Sequence, residues 1–207
     1  MKSKLCLVAF ALNSLLLISC QKEYSVQRDN SGNGPAPVDF TGTWDIVEVA
    51  SQGSNSSTTA VAAETLKSVV EYAYFSKNTT GKMLVDDKVF LTQDLNYIID
   101  TTMTLSVFSN GALLTSADMP FYMEVVQPSN PLPYRKISAD SILITGQLTS
   151  APSGAPIQSE EMGFRLMMAG DTLVMKGNLK FAVRQTVNGL PANIEANTTN
   201  LIKLLRP

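Results

Sequence analysis

The sequence predicts an all-β domain, folded as a closed or nearly closed antiparallel barrel, with one short helix. Three observations lead to this fold class. From Phe40 onward, short runs of β-branched and aromatic residues are separated by turn residues. Several runs alternate apolar and polar positions, and one hairpin-sized unit occurs twice. Closure is expected because it removes the exposed edges that a long series of strands would leave.

The first predicted strand covers Phe40–Val49. Trp44 and Ile46 lie on one face of it together with Phe40, and Trp44, the only tryptophan, is the best single core candidate. Alternation is clearest in a later run, where one face is apolar and the other is expected to face solvent. The apolar face of that run holds Leu179, Phe181 and Val183, and the solvent-facing side holds Lys180, Ala182 and Arg184.

The segment Ala62–Phe75 predicts a short helix instead of a strand. Leu66, Val69 and Val70 follow helical spacing, and the run Ala-Ala-Glu-Thr-Leu-Lys favours helix. We expect this helix to lead into a strand near Tyr72.

Turn residues mark four connections. Residues 128–133 and 150–156 combine proline with small residues and predict loops, because proline cannot continue a sheet ladder. Residues 78–81 and 109–111 contain Asn and Gly, which tolerate positive φ, and predict tight hairpin turns.

An internal repeat supports a series of hairpins. Residues 139–148 align without gaps on residues 170–179, and both copies place an aspartate before three apolar residues and a glycine. Aspartate suits the turn because its carboxylate accepts local backbone N–H bonds. The spacing of the copies corresponds to two strands and two turns.

The N-terminus predicts an export signal over residues 1–19. Lys2 and Lys4 precede an apolar run that ends at Ile18. This run of about 14 residues would span about 21 Å as a helix, less than the hydrocarbon core of a membrane. The sequence Leu-Ile-Ser-Cys20 resembles the bacterial lipobox. The resemblance implies cleavage before Cys20 and its acylation with fatty acids such as palmitate, which would anchor the protein to a membrane. A cleaved secretory signal with an incidental cysteine is the alternative.

Residues 20–38 are polar and rich in turn residues, and they predict a flexible tether between the anchor and a domain over residues 39–207. Gln21-Lys22-Glu23 resembles the short export signals of Bacteroidota lipoproteins, although a solvated start of the tether explains it equally well. We expect a protein anchored in the bacterial outer membrane, on its periplasmic or its cell-surface face.

The run Phe40-Thr-Gly-Thr-Trp-Asp45 resembles the Gly-x-Trp signature of lipocalins, here Gly42 and Trp44, and in particular the lipocalin-like domains of bacterial lipoproteins. The resemblance implies an up-and-down barrel of about eight strands. It also implies that a basic residue near the last strand, Arg206 or Lys203, packs across Trp44. An ordinary core tryptophan in an unrelated β-sandwich remains the alternative.

Composition argues against several function classes. The formal charge is −2, with no cluster of Lys or Arg, so we expect no nucleic-acid partner. The chain has no histidine and no Gly-x-Ser-x-Gly motif, and we expect neither an enzyme nor a bound cofactor or metal. Three acidic groups lack the loop spacing of a Ca²⁺ site or the geometry of an acid/base pair; they are Asp86-Asp87, Asp94 with Asn96 and Asp100, and Glu160-Glu161.

At three places a Ser or Thr directly follows an aspartate, and an apolar residue comes next or one position later. This pattern resembles the O-glycosylation acceptor of exported Bacteroidota proteins, and it implies Thr101, Ser141 and Thr172 as acceptors. The alternative is that these residues simply suit turns and strand starts.

Two functions fit the predicted barrel. The first is a binding module whose mouth holds a small apolar molecule or whose loops hold a glycan. Several methionine and aromatic residues of the domain would line such a site. Filling of the core is the alternative role for these residues, which are Tyr72, Tyr74, Phe75, Met123, Met162, Met167 and Met168. The second is a structural or interaction subunit of a surface complex, with a solid barrel and an apolar outer patch.

Overall fold

The computed structural model describes residues 38–61, 64–145, 161–187 and 190–207, and these residues form ten β-strands and no helix. Every strand pairs antiparallel with its neighbours, so the prediction of an all-β fold is confirmed. The strands are β1 Gly42–Val61, β2 Glu64–Phe75, β3 Lys77–Val85, β4 Val89–Ser109, β5 Ala112–Gln127, β6 Asn130–Ser138, β7 Ser141–Thr145, β8 Glu161–Ala169, β9 Thr172–Val187 and β10 Leu190–Leu205.

The strands close into a ring in up-and-down order. Two of the ring positions are shared by consecutive strands: β2 and β3 both lie between β1 and β4, and β5 and β6 both lie along the opposite side of β4. Pairing of β10 with β1 completes the ring. At one end its members are β1, β3, β4, β6, β7, β8, β9 and β10. The sheet is therefore barrel-like at this end, which we call the closed end.

The other end, which we call the open half, is built from fewer strands. Here the described chain forms the row β9-β10-β1-β2-β4-β5, because β7 and β8 are short. Among the described residues β5 pairs only with β4, and β9 beyond Gly177 pairs only with β10. Within the described ranges, the open half is thus a curved sheet with two strand edges.

The hydrophobic core is densest at the closed end. Trp44 is fully buried, and its indole Nε1 donates to the carbonyl oxygen of Phe40 at 2.9 Å. The Phe40 ring stacks on Phe90 at 5.9 Å between centroids, and the Tyr134 ring meets Phe90 edge-on at 4.7 Å. Buried aromatic rings in such geometries contribute more than their area alone, so these side chains form a solid floor.

The first strand is longer than predicted and contains a bulge. It continues to Val61, and its pairing with β10 shifts between Ile46 and Glu48. Because one extra residue reverses the alternation of faces, Val49 is buried like Trp44, and Val47 is exposed. The predicted face for Trp44 and Ile46 is correct up to this point.

The predicted helix over Ala62–Phe75 is wrong, since residues 64–75 form strand β2. Val69 and Val70 pair with β1 on one side and with β4 on the other. Pairing along both edges favours the extended form of these β-branched residues over the local helix preference of the segment.

The connections are partly as predicted. Asn110 and Gly111 have positive φ and join β4 to β5 in a two-residue hairpin, as expected. Residues 78–81 also contain positive φ values, but they form a bulged part of β3 and not a turn. The predicted loop over 128–133 is only Pro128-Ser129, because Asn130 already begins β6. The predicted loop over 150–156 lies outside the described residues.

The internal repeat corresponds to two hairpins at the closed end. Asp140 lies in the turn before β7, and Asp171 lies in the turn before β9. The carboxylate of Asp140 accepts bonds from the hydroxyls of Ser138 and Ser141, at 2.9 and 3.1 Å, and from Arg165 Nε at 3.0 Å. Partial burial raises the pKa of Asp140, but these donors outweigh it and hold the pKa below its ordinary value.

We therefore expect the ionised Asp140 carboxylate to stabilise the domain, and this stabilisation to be lost in acid. Since its pKa is lower in the folded state, the stabilisation is present above the unfolded pKa of about 3.9 and is lost as pH falls below it. D140N should lower the free energy of unfolding at pH 7 by about 1 kcal/mol, because the Arg165 partner is largely exposed. Urea unfolding at pH 7 and pH 3 tests this. D171N is the control, because the hydrogen bond at Asp171 runs from the backbone N–H of Arg206 to the backbone carbonyl of Asp171 and does not use the carboxylate. Equal pH profiles of unfolding free energy for the two variants would contradict the expectation.

Candidate functional site

A layer of polar side chains crosses the barrel interior between the closed end and the open half. We call it the polar layer. Four of its members lie on β1 and β10, and two tyrosines lie on β2; all are buried. The members are Ser51, Asn55, Tyr72, Tyr74, Thr198 and Asn200.

Strand pairing brings the members of the polar layer together. Ser51 pairs with Tyr74 on one side and with Asn200 on the other. One row further, Gly53 lies between Tyr72 and Thr198. Because Gly53 has no side chain, the Tyr72 ring crosses it and its hydroxyl shares a 2.9 Å hydrogen bond with Thr198 Oγ1. A Cβ atom at Gly53 would lie 2.8 Å from Thr198 Cα.

The polar layer is uncharged. Burial raises the pKa of the Tyr74 phenol far above its ordinary value, and neighbouring Tyr97 raises it further. Tyr74 therefore remains protonated at physiological pH. The amide of Asn200 contacts the sulfur of Met162 at 3.8 Å. Among the described residues, the buried polar side chains other than these tyrosines are hydroxyls and amides, and none is a carboxylate or a cation.

Beside and beyond the polar layer, the inner face of the open half carries half-buried side chains, several of them large and apolar. We call this surface the mouth. Val70, Phe121 and Phe181 pack partly against the core, and Leu105 and Ile194 continue the same faces of their strands. Half-burial of large apolar side chains on a concave face leaves contact area for an apolar molecule.

On β1 and β10, the outer face of the open half is mostly polar. On β1 it carries Ser54 and Ser56, and these line a shallow groove of about 490 Å³. Across the neighbouring strands the groove is bordered by charged side chains, namely Lys67, Lys180 and Glu195. This face suits contact with water, whereas a lipid-facing barrel surface is apolar.

A patch of exposed large side chains, interrupted by charged residues, lies on the outside of β2 and β5. Its members, Phe75, Tyr122 and Val126, are 70%, 61% and 75% exposed. Beside them, Asp100 pairs across the sheet with Tyr122, and Lys77 Nζ binds the Asp100 carboxylate at 2.7 Å. Exposed apolar area rimmed by polar residues is one kind of surface that contacts another protein.

The lipocalin-type signature residues meet at the closed end. Gly42 begins β1 with a φ of 118°, and Trp44 follows it into the core. The guanidinium of Arg206 lies 4.8 Å from the centroid of the Trp44 ring, in cation–π geometry. Lys203, the other predicted partner, is exposed on β10 opposite Glu48.

The predicted lipidation and glycosylation residues differ in what can be described. Cys20, the signal and the tether up to residue 37 lie outside the described residues. Ser141 is buried and donates to Asp140, and Thr101 Oγ1 donates to the carbonyl oxygen of Ala73 at 2.6 Å. Thr172 is half-buried at the start of β9.

Asp86, Asp100 and Glu161, three of the acidic residues singled out from the sequence, have structural partners, and Glu160 lies outside the described residues. The Asp86 carboxylate accepts hydrogen bonds from the backbone N–H groups of Lys88 and Val89, and these bonds lower its pKa. Glu161 Oε2 lies 3.8 Å from Arg135 Nη2. Within the described ranges, no three His, Cys, Asp or Glu side chains converge as metal ligands do. No helix in that part of the chain is long and apolar enough to cross a membrane.

Fold and site together define an antiparallel all-β protein with a solid closed end, a buried polar layer and an open apolar mouth. No protein-family model matches the chain, and no curated protein matches it. Among solved structures, the chain is similar to Ail, the attachment invasion locus protein of Yersinia pestis, at 6% identity over 79% of this chain and 99% of Ail, with a TM-score of 0.23. The same protein in complex with the heparin analogue sucrose octasulfate gives 6% identity over the same shares, with a TM-score of 0.22. Likeness at this level carries no argument about function.

Proposed function

We propose that this protein is a lipid-anchored binding protein of the bacterial cell envelope, whose mouth holds a small apolar molecule. The observation that carries this proposal is the contrast between the two ends of the interior. The closed end is filled by buried aromatic and aliphatic side chains, whereas Val70, Phe121 and Phe181 in the mouth stay half-buried. Apolar area on a concave face is the usual feature of small-molecule sites.

The anchor is proposed from the sequence and agrees with the character of the domain surface. An acylated Cys20 followed by a polar tether would hold the domain in water beside a membrane. The outer face of the open half fits that position, because serine, asparagine and charged side chains cover it, including Ser54, Ser56 and Asn197. We place the anchor in the outer membrane, because Gln21-Lys22-Glu23 resembles the short export signals of Bacteroidota lipoproteins.

Two neighbouring serines on β1 allow a matched test. Ser57 lies on the inner face with Asn55, and Ser56 lines the outer groove. We expect S57W to fill the mouth and to weaken binding of the neutral apolar probe N-phenyl-1-naphthylamine at least about tenfold, and S56W to leave binding unchanged. The measurement is probe fluorescence with the mature chain from residue 20, carrying C20S so that no detergent is needed.

The other outcomes of this titration are also informative. Loss of binding in S56W alone would move the site to the outer groove. A wild-type chain that binds no probe would overturn the proposal. It would favour the second candidate, an interaction subunit, which is supported by the exposed patch of Phe75, Tyr122 and Val126.

A further inference from the structure

Burying the polar layer costs folding free energy that an interior filled only by apolar side chains would not cost. Burying a hydroxyl or amide costs free energy unless it is hydrogen-bonded, and apolar side chains of similar size would avoid that cost. Yet Tyr72, Thr198 and Asn200 are buried where the mouth meets the solid closed end. Their side chains share the inner faces of β2 and β10 with Val70 and Ile194 of the mouth, a few residues away along the same strands.

The same level contains no partner for a charged ligand. Alternation along β2 and β9 places Lys67, Lys180 and Arg184 on the outer face, away from the mouth. The buried polar side chains in the described ranges are uncharged. A carboxylate carried into this interior would lose its water without gaining a cation, which is strongly unfavourable.

We infer that the mouth selects amphipathic molecules with an uncharged, hydrogen-bonding head, such as long-chain alcohols, over fatty acids with an ionised carboxylate. The apolar tail would lie between Phe121 and Phe181, and the head would exchange hydrogen bonds with Tyr72 and Thr198. A hydroxyl both donates and accepts, so it can join the Tyr72–Thr198 pair without leaving either group unsatisfied. This inference rests on the proposed function and adds the class of ligand.

The test is displacement of N-phenyl-1-naphthylamine by decan-1-ol and by decanoate at pH 8, using the mature chain with C20S. The two ligands have tails of similar length and differ in the charge of the head. We expect decan-1-ol to displace the probe at a concentration at least about tenfold lower. Equal or tighter binding of decanoate would overturn the inference while leaving the proposed function intact. A chain that does not bind the probe would overturn both.

Two conservative variants place the head. Y72F and T198V each remove one hydroxyl with little change in volume, and each should weaken decan-1-ol about three- to tenfold more than it weakens the probe. T199V is the control. Thr199 follows Thr198 on β10 but lies on the outer face, where its Oγ1 donates to Asn178 Oδ1 on β9. Should Y72F and T198V bind decan-1-ol as the wild type does while still binding the probe, the head does not lie in the polar layer. Unchanged circular dichroism of each variant shows that it folds.

Discussion

Replacing Trp44 with alanine should lower the free energy of unfolding by about 3 to 5 kcal/mol, the largest effect we expect from one side chain. Trp44 is fully buried, donates its indole N–H to Phe40 and lies under the Arg206 guanidinium. Its removal leaves a cavity in the solid floor and an unsatisfied carbonyl oxygen. Urea unfolding followed by circular dichroism measures the loss, because the variant has no tryptophan fluorescence.

Arg206 provides the matched comparison for the same contact. Its side chain is exposed and covers the indole from outside the core. R206A should therefore cost only about 0.5 to 1 kcal/mol, the usual size of an exposed cation–π contact. If W44A cost no more than R206A, the floor would not depend on the packing of Trp44.

Substituting Gly53 with alanine should cost about 2 to 3 kcal/mol, although it adds one methyl group. The new Cβ would lie 2.8 Å from Thr198 Cα and 2.9 Å from Thr198 Oγ1, and it would also press on the carbonyl oxygen of Asn197. The neighbours in closest contact are backbone atoms of a paired strand, which cannot rotate away. We also expect G53A to separate Tyr72 from Thr198 and to weaken binding of decan-1-ol.

Gly163 on β8 is the control for this substitution. A Cβ atom there would meet only Leu143 Cδ1, at 3.8 Å, which is ordinary contact. G163A should be neutral or stabilise the domain by up to about 1 kcal/mol, because alanine restricts the unfolded chain. Similar losses for G53A and G163A in urea unfolding would show that the close strand approach at Gly53 is not the cause.

Much of the fold follows from local sequence patterns. Alternation in β9 and the paired turns at Asp140 and Asp171 correctly predict antiparallel hairpins. The prediction fails where pairing partners decide the conformation: Val69 and Val70 lie in a strand because β1 and β4 bind both edges of it. The bulge after Ile46 has no clear sequence signal, so the face of Val49 could not be predicted.

The site was harder to predict than the fold. Trp44 and Arg206 were singled out through a resemblance, and both lie at the closed end. Tyr72 and Tyr74 were among the aromatic candidates, but their polar partners were missed, although Thr198 and Asn200 share the alternating face of Ile202 and Leu204, which marks them as inward. The contact of Tyr72 with Thr198 is invisible in sequence, because it depends on Gly53 lying between two distant strands.

The two strand edges of the open half affect how this protein behaves when crowded. Molecules held on one membrane meet at high local concentration, and free edges then tend to join into continuous sheets that aggregate. The edge strand β5 carries Pro120, which has no N–H to donate, and Asp118 beside it. The facing edge of β9 carries Lys180 and Arg184. These residues oppose edge-to-edge pairing, so under the proposed anchoring neighbouring copies would not join into a continuous cross-β sheet.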